Sequence, residues 1–306
     1  MKNLVAFVFT LFTLVIQGQS LAERLGYNAE DKLLIIHADD LGVAHSENVA
    51  SFLALKTGPV NSASIMMPTP WVGEVADFKK KNPDADFGLH LTLTNEWKYL
   101  NWGPVASTSE VSTIVNENGF LYPDCLSFGK SADPKEAEIE LRAQVDKAIR
   151  MGINPTHLDT HMGCLLFNTP ELFEAYLKVG RDYKIPVMVP RLFVQAAGEE
   201  FRSKLSPTDV IIENVYMANE QDYEKGLGKF YEETLKNIDI GVNVLLVHLA
   251  LNDSEMQAVS VDHEPYGALW RQQDFDFFTS SVAQEIIKDE GIILIQWRDI
   301  QKLMYD

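Results

Sequence analysis

Four short stretches bring ionisable side chains to the ends of apolar runs: His37-Ala38-Asp39-Asp40, Gly88-Leu89-His90, His157-Leu158-Asp159-Thr160-His161 and Val247-His248. Of the seven histidines, only His45 and His263 fall outside these runs. A single histidine in such a place is ordinarily a hydrogen-bonded core residue. Two aspartates and at least three histidines converging from four runs are a different matter, because they cannot be buried together without a cation or one another. One carboxylate and two imidazoles leave open positions on a divalent ion, the arrangement a hydrolase needs to activate water. Asp40, His90 and His161 are the expected ligands. Asp39 is poorly placed to reach the same ion and is expected to stand beside the water as general base. His157 and Asp159 share a face with His161 if the chain there is extended, so they are expected to orient it from behind.

Two other hydrolytic arrangements are absent. No Gly-x-Ser-x-Gly elbow is present, and His263-Glu264 is followed by Pro265 with no second histidine, which excludes a helical HExxH zinc site. Cys125 and Cys164 lie far apart with no CxxC pair, so a cysteine zinc cluster is excluded and one disulfide is left open.

Residues of this kind need a scaffold that delivers strand ends to one place. Eight apolar runs, at 33–38, 61–67, 87–93, 156–161, 187–190, 210–216, 242–249 and 292–297, alternate with helical patterns at 46–56, 72–80, 134–151, 170–183, 220–237 and 274–289. The pattern predicts an α/β fold, a (β/α) barrel of seven to eight parallel strands, TIM-barrel-like, in one domain over 20–306. No glycine fingerprint follows the first strand, which disfavours a doubly wound sheet. The clearest helix is 134–151, with Pro134 in its first turn, an apolar stripe of Leu141, Val145, Ala148 and Ile149, and Gly152 to close it. The long break from Asn95 to Ser131 is expected to be functional. Trp97, Tyr99 and Trp102 follow the third strand and Tyr266 and Trp270 the seventh. Their rings suit either the apolar side of a sugar or the packing of loops on the barrel.

The 306 residues are 46% apolar and 23% charged, which rules out disorder and collagen-like repetition. A net charge of −18 repels phosphate backbones and anionic membranes, so nucleic acid is not an expected partner. Lys2 precedes an apolar run from Leu4 to Ile16 and a small polar stretch, Gln17-Gly18-Gln19-Ser20. This is a signal-peptide layout over 1–19 and predicts an exported, periplasmic or extracellular protein with no stable membrane association after cleavage.

The segments Leu33 to Gly42, Gly88 to Thr94 and Pro155 to His161 resemble, in order and spacing, the three characteristic segments of the YdjC-like carbohydrate deacetylases. That family includes the chito-oligosaccharide deacetylases and is distantly similar to the NodB-type polysaccharide deacetylases. The resemblance runs from about Lys32 to the last strand. It implies a distorted (β/α) barrel, one divalent ion, zinc or magnesium, and removal of an N-acetyl group from an amino sugar or oligosaccharide. Carried over by position, Asp40, His90 and His161 match the metal ligands and Asp39 the base. His248 falls where the family has a strand-end histidine able to protonate the leaving amine, and Arg271 or Asp274 lies in a segment that could reach the site. His37 departs from the pattern, standing where many members have Asn, and His161 is followed by Met162-Gly163 rather than further histidines. A carbohydrate O-acetyl esterase and a non-catalytic exported sugar-binding protein are the alternatives on the same scaffold, and a homo-oligomer is left open.

Overall fold

The computed structural model describes residues 19–306. The leader expected over 1–19 lies, apart from Gln19, outside the described residues. Among the described residues no helix is long and apolar enough to cross a membrane.

The strands are β1 (Lys32–Leu41), β2 (Ser62–Ile65), β3 (Phe87–Leu91), β4 (Leu158–Thr160), β5 (Val189–Pro190), β6 (Ile211–Ile212), β7 (Asn214–Tyr216), β8 (Gly241–Val247) and β9 (Ile293–Leu294). Every ladder between them is parallel. The main sheet runs β4-β3-β2-β1-β8-β7 with β9 beside β1, and β5 pairs β6 in a small second sheet. A lone parallel bridge, Leu158 with Val187, connects β4 to the approach to β5. The architecture is a curled half-barrel, in keeping with the expected distorted (β/α) barrel of parallel strands, but it does not form a full TIM-like ring of eight.

Two departures account for the difference. The expected strand 210–216 breaks at Glu213, whose carboxylate accepts from the Val242 N–H at 3.2 Å, so that β6 turns to β5 and β7 to β8. The expected last strand 292–297 shortens because one edge of β1 is shared. β9 takes Leu33 and Leu34, and β2 takes the upper half from His37. At the junction the Asn61 side chain replaces the missing ladder, accepting from Ile36 N at 2.9 Å and donating to Ile295 O at 2.7 Å.

β1 is buried along almost its whole length, as a central parallel strand should be. The helix Pro134–Arg150 opens as expected, with Asp133 accepting from the Lys135 N–H, and packs Ala137, Leu141, Val145 and Ala148 inward while Ile149 stays exposed. Two polar residues of the same helix are buried with a purpose. Glu140 accepts from the N–H groups of Val105 and Ala106, and Gln144 exchanges two hydrogen bonds with the Thr92 backbone. They pin the long segment that follows β3 to the scaffold. A Cys125–Cys164 disulfide ties that segment to the short helix beyond β4.

Candidate active site

The last residues of β1 before Leu41 are Asp39 and Asp40, both buried. Asp40 lies at φ 68°, a left-handed conformation that Asp tolerates better than most residues, and Gly42 follows at φ 97°. A Cβ on Gly42 would come within 2.8 Å of Val72 Cγ1, so the turn requires glycine twice over. The turn sends the two neighbouring carboxylates to different partners.

Asp40 Oδ1 lies 3.4 Å from His90 Nε2 and 3.5 Å from His161 Nδ1. It is buried and receives no hydrogen bond. The other oxygen accepts from Arg271 Nη2 at 2.7 Å. Burial alone would raise the Asp40 pKa, but the guanidinium and the nearby imidazoles hold it well below the usual carboxylate range. Each histidine is oriented from behind: His90 Nδ1 sits 2.5 Å from Asp159 Oδ1, and His161 Nε2 sits 3.0 Å from Glu96 Oε2. In both, the ring nitrogen left over faces Asp40; a proton on the nitrogen turned to the carboxylate behind it gives the tautomer a metal ligand needs. One ligand atom from each of Asp40, His90 and His161 lies within 4.8 Å of the others. The orphaned oxygen, the two free ring nitrogens and the carboxylates behind them fit a divalent cation. His37, His157 and Asp159 also cluster, but they do not line the cavity described below.

Asp39 faces the other way. Its Oδ1 accepts from Ser64 Oγ at 3.3 Å and lies 3.1 Å from His37 Nε2, while Oδ2 lies 3.8 Å from His248 Nε2. His37 Nε2 also lies 3.0 Å from Asp159 Oδ2. Burial opposes charge on His37, yet its hydrogen bonds to Asp159 and Asp39 outweigh it and push the pKa up to about 10. His37 thus presents one ring nitrogen to two carboxylates that favour its charged form, and it supports the site without lining the cavity. Burial pushes His248 the other way, down to about 4, in spite of Asp40 and Asp39.

Several expectations need correction. His157 and Asp159 do not orient His161. The extended chain stops at Thr160, and the turn His161–Gly163, with Met162 and Gly163 both at positive φ, carries His161 off the strand. Asp159 supports His90 and His37 instead. His157 is a neutral core ring, its pKa held well down by burial, stacked 4.9 Å from Trp297. Arg271 reaches the site and clamps Asp40, whereas Asp274 works beneath it, accepting from the His248 N–H and the Tyr231 hydroxyl. Trp97 and Trp270 are buried and do not line the cavity: Trp97 lies under the Arg271 guanidinium, and Trp270 stacks on Tyr223 and meets Tyr266 at a tilt. Tyr266 is the aromatic of that group on the cavity wall.

Glu96, Glu47 and His263 were not legible as site residues. Glu96 and His263 sit in loops after β3 and β8 with no motif, although the long segment after β3 was itself a signal. Glu47 pairs with Arg271 Nη1 at 3.0 Å from the first turn of the helix after β1.

A cavity of about 900 Å³ opens over these residues at the C-terminal ends of the strands, the place where parallel α/β sheets bind ligands. Asp39, Asp40, His90, Glu96, His161 and His248 lie in its wall.

The model of a family described as YdjC-like proteins matches residues 33–289. A carbohydrate deacetylase of Thermus thermophilus is 35% identical over 171 residues, covering 56% of this chain and 58% of that protein. A carbohydrate deacetylase of Thermoanaerobacter pseudethanolicus is 25% identical over 278 residues, covering 87% of this chain and 98% of that protein. The match spans less than two thirds of the first relative and nearly all of the second. The crystal structure of an Enterococcus faecalis protein named for cellobiose-phosphate cleavage has a TM-score of 0.73 at 24% identity, over 88% of this chain and 99% of that one, and shares the fold. Since the matched stretch runs from β1 to the helix Ser281–Asp289 and takes in every strand end that carries a site residue, the chain belongs to the family of YdjC-like proteins.

Proposed function

We propose that this chain is an exported, metal-dependent hydrolase that removes N-acetyl groups from amino sugars or oligosaccharides. The observation that carries the reading is the pairing of a cation-ready set, Asp40, His90 and His161, with a separate carboxylate, Asp39, in the wall of one cavity. The names of the relatives supply the substrate class. A divalent ion held there polarises a carbonyl and lowers the pKa of water.

The chain's own groups divide the proton work. Asp39 Oδ1 is committed to His37 and Ser64, which leaves Oδ2 to take a proton from the attacking water. Water oxygen bonds to the amide carbon, the C–N bond breaks, and the leaving nitrogen must gain a proton. Burial disfavours charge on His248, so the proton it delivers is one acquired during the cycle, passed on by Asp39, whose Oδ2 lies 3.8 Å away. Arg271 holds Asp40 in one rotamer and Glu96 holds His161, so the ligand set is preorganised.

Export rests on the leader pattern of residues 1–19 and is supported by the Cys125–Cys164 disulfide, a bond that persists in oxidising compartments. The test of function is an acetate-release screen of the metal-loaded protein on N-acetylated and O-acetylated sugars. Release from N-acetyl substrates is the expected result; release confined to O-acetyl substrates would replace the amide with an ester.

A further inference from the structure

Away from Asp39 and Asp40 the cavity changes character. Among the described residues, no ionisable side chain contributes to its wall between positions 162 and 201. That part is built from Leu166, Phe167, Leu192, Phe193 and Phe201, and Met217 joins them from beyond β7. Phe193 contacts Phe167, Phe173 and Phe201 edge to face, with ring centroids 5.9, 5.1 and 5.7 Å away, so the wall is fixed by aromatic packing rather than formed by loose chains. Phe167, Leu192 and Met217 are nonetheless 70%, 69% and 49% exposed. Apolar surface held open beside a catalytic centre costs stability unless a ligand covers it.

A bare glycan does not match this wall. Its hydroxyls ask for donors and acceptors, and the tryptophans that could have stacked on a ring are buried in loop packing. The volume, about 900 Å³, is at the upper end of the roughly 300–1,000 Å³ of small-molecule sites.

We propose that the physiological substrate is amphiphilic: an acylated amino sugar that carries an alkyl or aryl group, which lies along the apolar arm formed by Leu166, Phe167, Leu192, Phe193, Phe201 and Met217. The inference rests on the deacetylase reading and adds the substrate class to it. Joined through the glycosidic oxygen, the apolar group leaves the enzyme a deacetylase; as the acyl chain itself, it makes the same amide hydrolysis a long-chain deacylation, and the test separates the two.

Turnover is compared for methyl and octyl N-acetyl-glucosaminide, and for N-acetyl- and N-octanoyl-glucosamine, below micelle-forming concentrations. Binding of octyl glucoside, which has no amide, is measured by calorimetry. One of the two octyl substrates is expected to show kcat/KM at least tenfold higher than its short partner, the gain that about two buried methylenes supply. Leu192→Ser and Met217→Ser, at exposed positions outside the catalytic group, are expected to erase that gain and weaken octyl glucoside binding while leaving the methyl glycoside rate unchanged. If acetate is released but neither octyl substrate gains, the amphiphile is ruled out and the deacetylase stands. If octyl glucoside binds in a variant-sensitive way with no acyl release from any sugar, the apolar site stands and the deacetylase reading falls.

Discussion

Two carboxylates separated by one peptide bond work apart here because Asp40 sits at φ 68° and Asp39 does not, so Arg271 claims one and His37 the other. The same economy governs the histidines. Asp159 and Glu96 decide which ring nitrogen of His90 and His161 is left to a cation, and a carboxylate behind a ligand histidine also raises its basicity. Glu96→Gln keeps the hydrogen-bonding shape and removes the charge. It is expected to weaken divalent-ion affinity by roughly 10- to 100-fold with unchanged far-UV circular dichroism, measured by competition with a chelating dye. Unaltered affinity would remove Glu96 from the site. The convergence of Asp40, His90 and His161 was readable because several ionisable residues from different strand ends cannot be buried together without a cation or one another. Glu96 was not, because an acidic residue in a polar loop is ordinary until the fold brings it against a histidine.

At the scale of elements, β3 and β4 lie so close that only glycine fits between them at one point: a Cβ on Gly88 would overlap the His157 ring, which is itself stacked on Trp297. Gly88→Ala is expected to destabilise the protein by about 1–3 kcal/mol, the cost of overpacking a filled core, measured by denaturant titration. Tolerance of the methyl would mean that His157 is free to move. The longer helices were legible from their periodicity, and Pro170–Tyr183 matches the expected bounds. Breaks inside expected elements were not. The helical pattern over 220–237 is interrupted by Gly226 at φ 99°, and that over 274–289 is the tail of one helix, Ala268–Phe278, and the whole of another, Ser281–Asp289. Strand pairing hid even more, since Glu213 and Asn61 settle neighbours through side chains that a period-two reading counts only as polar interruptions.

For the whole molecule, the disulfide closes a loop with a sequence separation of 39, joining the segment after β3 to the short helix Cys164–Phe167 that follows the turn carrying His161. In the chain-entropy account a loop of that size contributes about 4 kcal/mol, so a Cys125→Ser, Cys164→Ser double variant is expected to lose roughly that much stability and a reducing buffer to lower Tm only in the parent. Equal Tm values for the two proteins in oxidising buffer would show that the bond does not form in solution. Whether a barrel closes depends on edge sharing and on one bridge between Leu158 and Val187, features with no composition or periodicity of their own. That is why the parallel α/β class was legible and the half-barrel was not.

The central claim is that a cation-holding set and a proton-accepting carboxylate are different residues in one wall. Its most direct test is kcat for acetate release by the Asp39→Asn variant, measured with bound divalent ion quantified in the same sample. The expected result is unchanged ion content with kcat lowered by roughly 10²-fold or more, the size of a lost general base. An Asp39→Asn enzyme that retains both its ion and full kcat would contradict the account.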